Sequence, residues 1–492
     1  MFKASLNNML FNGLNTVVNM VNGVLMLPVY FKYISVSEYG SWLAAFSFIS
    51  FVGVIESGLG MILTQKLSES KVNEDHFLGF SGINIFIGLV LAILTCILSL
   101  FSPYFLINFL SFENNDIDLI GELVYVGGLG SALAIMTSFI GVFAQVWQET
   151  RFTGFMSVLI NVAGIFLVIF LLMAGYGVRS LAYGYFIRSF INLVGISIWF
   201  VASWYKKKLS MPTVDLKDFR DVLVLSIWPF FARMSTFAST NLQNFLVAIV
   251  ISSEATVVLD LTGKIINVLG GFVPLISSSY FGLLSLSKAS KNKSAFYSVF
   301  ATVSKLTVLS LMTALLFSLV STKFILFHWL GDNKFGGYSL LLLILLSVFF
   351  IHSRNFFTNL LYSGGFVVEV AKLEVTISIL YCILLFLLIT FLGIYTFPIA
   401  TILSSLLLIR VYFRLVVSKF YVSFKEVFRF SMKLFVVVSV LTVVHFILNL
   451  NLYNLSTFII TLSLYVLIYL SVVVVIERRQ VKKIFENMMN FI

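Results

Sequence analysis

The chain has 492 residues, of which 60% are hydrophobic and 11% are charged, and its mean hydropathy is +1.05. A soluble globular domain carries about 25% charged residues, so this chain could not cover its surface with polar groups in water. The composition excludes a soluble protein and predicts a membrane protein. The formal net charge of +11 is therefore assigned to loop lysines and arginines that set the topology, and not to nucleic-acid binding.

Apolar runs follow one another along the whole chain, and a helix that crosses the hydrocarbon core needs about 20 such residues. The runs predict an all-α polytopic membrane protein of about fourteen transmembrane helices, with the N-terminal run retained as the first span. The predicted spans are 7–32, 40–64, 79–106, 119–146, 154–175, 180–204, 222–252, 255–286, 296–322, 338–360, 366–392, 395–418, 430–450 and 454–476.

Loop charge alternates along this series of spans. If the N-terminus is cytoplasmic, the inner loops hold most of the lysines and arginines outside the spans, with Arg354 among them. The outer loops then hold only Lys32, Arg179, Lys323 and Lys334. Cytoplasmic loops carry the Lys/Arg excess in membrane proteins, so both termini are predicted to be cytoplasmic.

The longest polar connection, 205–221, follows the sixth span and predicts a boundary between two lobes. It contains Lys206, Lys207 and Lys208. The predicted division is an N-lobe of helices 1–6 (1–204), a cytoplasmic linker (205–221), a C-lobe of helices 7–12 (222–419), two additional helices (420–476) and a basic cytoplasmic tail (477–492). A Ser-Glu pair opens the second span (Ser37-Glu38) and the eighth (Ser253-Glu254), a weak sign of parallel repeats.

Polar residues follow helical spacing in the first span. At about 100° per residue they fall within an arc of roughly 80°, and they are Asn8, Asn12, Asn15, Asn19 and Asn22. Amides on one face of a span either bond to neighbouring helices or line a cavity. Five amides on one face favour the cavity.

Cations lie deep in three of the predicted spans: Arg188 in the sixth, Arg233 in the seventh and Lys264 in the eighth. Arginine at that depth is costly unless it faces water, an anion or an acidic partner. Arg233 shares a helix face of about 100° with polar residues that include Thr240 and Asn244. The cations predict a cavity that attracts an anion such as a phosphate or an acidic sugar.

Two intramembrane carboxylates are candidates for ion coupling or for charge pairing. Asp260 lies four residues before Lys264, so the two side chains can neutralise each other on one helix face. Glu56 can carry a proton, or it can pair with Arg233 or Arg188. Glu374, near the inner end of the eleventh span, is expected at the interface.

Motifs for catalysis are absent from the sequence. No phosphate-binding GxxxxGK[ST] loop, nucleophile elbow or metal-ligand spacing occurs, so no catalytic or metal-binding residues and no bound cofactor are predicted. A membrane glycan polymerase stays open as the less favoured alternative, because such enzymes need a substantial outer loop. A transporter is favoured over an enzyme.

Two segments resemble a known family. Tyr33-Ile34-Ser35-Val36-Ser37-Glu38-Tyr39-Gly40-Ser41-Trp42 is similar to the junction between the first two helices of polysaccharide flippases. Glu56-Ser57-Gly58-Leu59-Gly60, followed by Thr64-Gln65-Lys66, looks like the stretch that closes their second helix, with Glu-Ser in place of the commoner Asp-Leu. These are the O-antigen flippases of the multidrug/oligosaccharidyl-lipid/polysaccharide (MOP) exporter superfamily.

The resemblance implies two pseudo-symmetric six-helix lobes in a V shape plus two C-terminal helices. It implies a flippase that moves an undecaprenyl-pyrophosphate-linked oligosaccharide by alternating access from the cytoplasmic to the periplasmic leaflet of a bacterial inner membrane. Coupling to a proton or sodium gradient, and partnership with membrane lipid, a polysaccharide polymerase and a chain-length regulator, follow as expectations. A multidrug/cation antiporter of the same fold is the alternative, and it would require an acidic cavity.

Overall fold

The computed structural model describes residues 14, 18, 22–109, 117–147, 149–240, 242–274, 293–331, 334–363, 366–420, 425–447, 457–469 and 471. Asn12, Asn15 and Asn19 lie outside these residues, as do the side chains of Glu56 and Thr240 within their helices. The described residues form helices joined by turns, and none of them is in a β-strand. The all-α prediction is confirmed for this part of the chain.

The helices follow the predicted apolar runs in chain order. They are α1 (Leu27–Tyr33), α2 (Val36–Glu69), α3 (Glu74–Phe109), α4 (Ile117–Val146), α5 (Thr150–Met173), α6 (Arg179–Lys206), α7 (Leu216–Thr240), α8 (Leu242–Val250), α9 (Ser253–Gly270), α10 (Lys293–Leu330), α11 (Gly337–Ser363), α12 (Val367–Leu392), α13 (Thr396–Phe420), α14 (Lys425–Ile447) and α15 (Thr457–Tyr469). The predicted seventh span corresponds to α7 followed by α8.

Length and composition identify the helices that can cross a membrane. Eight helices in the described ranges are long and apolar enough, and one of these, Val368–Phe420, contains both α12 and α13. Thr457–Tyr469 is a shorter apolar helix. The total of fourteen spans and the cytoplasmic position of both termini stay predictions.

Serine residues set the starts of α2 and α9. The Ser35 hydroxyl accepts a hydrogen bond from the Glu38 amide, and the Glu38 carboxylate accepts one from the Ser35 amide, which forms a capping box. The Ser252 hydroxyl accepts from the Ala255 amide in the same way at the start of α9. The Ser-Glu segments therefore begin helices in both places.

The chain divides into two compact units, residues 1–257 with 374–394, and residues 258–373 with 395–492. In the first unit α4 packs against α2, α3 and α6, and α2 also packs against α7 and α8. In the second unit α10 packs on α11 and α14, and α11 packs on α13. The lobe division at 205–221 stays a prediction.

The polar connection after α6 is shorter than predicted and packs against α3. α6 ends at Lys206 and α7 begins at Leu216, so the first turns of α7 occupy the end of the predicted linker. The Thr213 amide donates to the Leu78 carbonyl over 3.2 Å. A Cβ on Gly82 would lie 2.0 Å from the Thr213 carbonyl oxygen, so only glycine permits this approach.

The structure corrects the placement of two charged residues. Arg354 lies within α11 and is 4% exposed, whereas the sequence placed it in an inner loop. Glu374 lies within α12 and is 3% exposed, whereas it was expected at the interface. Both errors have one cause, because a single charge inside a long apolar run neither ends a helix nor shows which way the side chain points.

Candidate functional site

Arg188 lies on α6 in the first unit, and its side chain is half-buried. Its guanidinium lies over the Tyr185 ring, 5.4 Å from the centroid. The stem of Arg188 runs against α5, where a Cβ on Gly164 would come within 2.9 Å of the Arg188 Cδ. Among the described side chains no carboxylate lies within ion-pair distance of Arg188.

Asn22 and Tyr30 extend this region from the first predicted span. The buried Tyr30 hydroxyl donates a hydrogen bond to the Asn22 Oδ1 over 2.8 Å. Tyr30 is also close enough to Arg188 to interact with it electrostatically. The structure thus brings Asn22 and Arg188 to one neighbourhood through Tyr30. The Asn22 side-chain oxygen accepts this hydrogen bond from a residue of its own predicted span. The NH₂ group of the same side chain can still donate to a ligand.

Arg233 lies on α7, four residues after Pro229, and its side chain is exposed. At 100° per residue, Arg233 falls on the side of the helix that carries Val222, Ser226 and Phe237, all buried. The exposed apolar side chains of α7 form a face whose centre lies about 130° around the helix axis from Arg233. The exposed Arg233 side chain is therefore not on the exposed apolar face of α7. In the described part of the chain Arg233 has no ion-pair partner.

Asn244 follows on α8 and is half-buried. Its backbone carbonyl accepts a hydrogen bond from the Thr256 hydroxyl over 3.4 Å. Its side-chain Oδ1 is buried and has no hydrogen-bond partner among the described residues. A buried acceptor without a partner is costly. The Asn244 Oδ1 can therefore accept a hydrogen bond from a donor that the described residues do not supply.

Lys264 and Asp260 lie on α9 in the second unit. The Lys264 Nζ is 3.0 Å from the Asp260 Oδ2, and the two side chains are 16% and 15% exposed. The ion pair predicted from their four-residue spacing is present. Lys264 is neutralised within its own helix and therefore differs from Arg188 and Arg233.

Aromatic residues complete the surroundings of Arg188, and the sequence did not single them out. The Tyr185 ring lies 5.9 Å from the Phe46 ring, which lies 5.5 Å from the Trp42 ring. With aromatic residues at 16% of the chain, no stripe stands out in the sequence. The junction motif, which contains Trp42, is the one sequence signal that marks part of this cluster.

Comparison with protein families decides the relationship of the chain. The family described as "Polysaccharide biosynthesis protein" matches residues 32–333, which is more than half of the sequence. The chain belongs to this family. No curated protein sequence matches the chain. The matched range includes the junction motif and every candidate cation.

Solved structures show the fold of this polysaccharide biosynthesis protein. An inward closed conformation of the lipid II flippase MurJ is similar with a TM-score of 0.71 and 16% identity, over 98% of this chain and 100% of that one. An inward-facing multidrug resistance MATE transporter of the MOP superfamily is similar with a TM-score of 0.65 and 11% identity, over 83% and 95%. A MOP superfamily transporter from Pyrococcus furiosus has a TM-score of 0.54 and 13% identity, over 85% and 94%.

These likenesses confirm the predicted MOP-type fold, and the family match shows a polysaccharide biosynthesis protein. The chain is a multi-pass membrane protein with the fold of these flippases and transporters.

Proposed function

We propose that this protein is a flippase for an undecaprenyl-pyrophosphate-linked oligosaccharide, an O-antigen or related surface polysaccharide repeat unit. It lies in the cytoplasmic membrane of a bacterium and moves its cargo from the cytoplasmic to the periplasmic leaflet by alternating access. The observation that carries the proposal is the state of the intramembrane cations. Arg188 and Arg233 have no described carboxylate partner, whereas Lys264 is paired with Asp260.

The chemistry of the cargo fits this arrangement. A pyrophosphate carries several charged oxygens, and an arginine donates two parallel hydrogen bonds to such a group. Leaving an arginine without a carboxylate inside a membrane is costly, and an anionic cargo would compensate for that cost during transport. The half-buried Arg188 and the exposed Arg233 would bind the pyrophosphate, with the Asn22 NH₂ group as an uncharged donor near Arg188.

Energy and partners are further parts of the proposal. Coupling to a proton or sodium gradient would use Glu56, since Asp260 is engaged by Lys264. No step requires a bound cofactor. A polysaccharide polymerase and a chain-length regulator would receive the cargo on the periplasmic side.

A multidrug/cation antiporter is the second candidate, and the likeness to a MATE transporter favours it. A cationic drug would need a carboxylate without a cationic partner. In the described ranges Asp260 is paired with Lys264, whereas Arg188 and Arg233 have no described carboxylate partner. The charges therefore support an anionic cargo over a cationic one.

The test uses cells in which this chain is the only route for surface polysaccharide. Arg188→Gln and Arg233→Gln keep a polar, hydrogen-bonding side chain and remove its charge. A hydrogen bond to a charged group contributes about 1.5–3 kcal/mol, so each variant is expected to lower surface polysaccharide by about tenfold or more. Arg151→Gln, at an exposed arginine in the first turn of α5, is the matched control and should be neutral.

Membrane insertion of each variant is measured in parallel by its abundance in the membrane fraction. Surface polysaccharide at the normal level in both arginine variants would remove these two residues from the mechanism. Efflux of a cationic dye that survives in both variants, with surface polysaccharide unaffected, would favour the antiporter.

A further inference from the structure

The first unit contains a row of aromatic rings that ends at Arg188. Trp42 and Phe46 lie one turn apart on α2, and Tyr185 comes from α6. Neighbouring ring centroids are 5.5 Å and 5.9 Å apart, and the Arg188 guanidinium is 5.4 Å from the last of them. The row thus joins an aromatic surface to an intramembrane cation.

The row is turned away from the lipid side of α6. The strongly exposed apolar side chains of that helix form one face, which carries Phe190, Ile191, Val194, Ile198 and Val201. At 100° per residue Tyr185 lies about 170° from the centre of that face. Phe46, whose ring meets the Tyr185 ring edge to face at 86°, is nevertheless 41% exposed. Part of the Phe46 ring is therefore left uncovered beside the Tyr185 ring.

Glycine residues on α4 make room for the row. Gly127 and Gly130 are three residues apart and so share a face of the helix. A Cβ on Gly130 would lie 2.8 Å from the Tyr185 Cδ1, whereas one on Gly127 would meet Ile49 first, at 2.3 Å, and Trp42 only at 4.0 Å. The Tyr185 ring therefore packs against the backbone of α4 at Gly130, which limits the rotation of the ring.

We propose that Trp42, Phe46 and Tyr185 form a sugar subsite, on which a pyranose ring of the cargo stacks while Arg188 binds the anionic group next to it. The C–H edges of a sugar ring are weakly positive and are attracted to the negative face of an aromatic ring. Phe46 offers the open face, Trp42 extends it, and Tyr185 supports Phe46 from the side. The Tyr185 ring face is occupied by Arg188, so Tyr185 positions that cation.

This inference rests on the proposed function but makes a separate claim, because the rings would recognise the glycan whereas the arginines would recognise the pyrophosphate. Two probes separate the claims: undecaprenyl pyrophosphate without sugar, and the lipid-linked oligosaccharide isolated from cells that express this chain. Binding of each to the purified full-length protein in detergent or nanodiscs is measured by native mass spectrometry. The ratio of the two dissociation constants isolates the contribution of the sugar.

Phe46→Leu keeps an apolar side chain of similar volume and removes the aromatic face. The expected result is a loss of about fivefold in affinity for the lipid-linked oligosaccharide, the size of an aromatic contact, with no change for undecaprenyl pyrophosphate. Phe46→Tyr keeps the face and should restore the ratio. Phe190→Leu, on the lipid face of α6, is the matched control and should leave both constants unchanged.

Each other outcome overturns the proposal. Equal losses for the two probes in Phe46→Leu would make the ring a structural support of the anion site. Unchanged binding of both probes would remove the sugar contact. If the unmodified protein bound neither probe, the proposed function itself would fail, and the sugar subsite with it.

Discussion

A single methyl group at Gly40 should separate two helix starts that touch in the first unit. A Cβ at this position would lie 2.0 Å from the Ser253 carbonyl oxygen and 3.0 Å from the Ser253 Cα. Both are backbone atoms that cannot rotate away. An ordinary contact distance is about 3.5 Å, so Gly40→Ala requires a displacement of roughly 1.5 Å between the start of α2 and the start of α9.

Inserting such a group into a packed contact costs about 1–3 kcal/mol. If the contact opens and closes during transport, that cost lowers the closed population by about 5- to 150-fold. Cross-linking reports the population directly. The Ser41 and Ser253 hydroxyl oxygens are 3.2 Å apart, so cysteines at these two positions should form a disulfide in the closed contact.

The assay uses a variant in which Cys96 and Cys382, the two native cysteines, are serine. Oxidation should cross-link the double-cysteine protein rapidly, and Gly40→Ala should slow the cross-link by the same 5- to 150-fold. Gly60→Ala is the matched control on α2, because a Cβ there meets nothing within 4 Å. Equal cross-linking rates in the Gly40 and Gly60 variants would refute this account of the contact.

Three more expectations concern single contacts. Lys264→Met alone should destabilise the protein by several kcal/mol, because it leaves the Asp260 carboxylate unpaired, whereas the double variant with Asp260→Leu should recover most of the melting temperature. Gly82→Val should detach the connection after α6, because its Cβ would lie 2.0 Å from backbone, and limited proteolysis within 207–215 should become faster. Glu122→Gln should change stability by less than about 1 kcal/mol in thermal unfolding, because its ion pair with Arg179 is exposed.

Helix positions were predictable because a span must be about 20 apolar residues long. Helix ends were not, since a helix continues beyond the bilayer wherever its polar residues suit water. The start of α7 shows this. Residues 216–221 contain four charges and were assigned to a linker, yet they form its first turns. Mean hydropathy records where a chain leaves the membrane and not where its helix begins.

Side-chain partners within one helix were also predictable, and those between helices were not. The spacing of Asp260 and Lys264 predicted their ion pair, because four residues make one turn. The neighbours of Arg188 outside its own helix come from the first predicted span and from α5, and no spacing rule relates such distant positions. Gly40 and Trp42 were noticed only as parts of a motif, and the structure gives each a physical role.

Direct observation of cargo movement tests the central claim. The purified protein is reconstituted into liposomes with a lipid-linked oligosaccharide, and the fraction accessible to an external glycosidase is followed over time. We predict that the protein makes the inner-leaflet pool accessible, and that the Arg188→Gln, Arg233→Gln double variant does so at least about tenfold more slowly. Equal accessibility in protein-free liposomes, or equal rates in both proteins, would contradict the account.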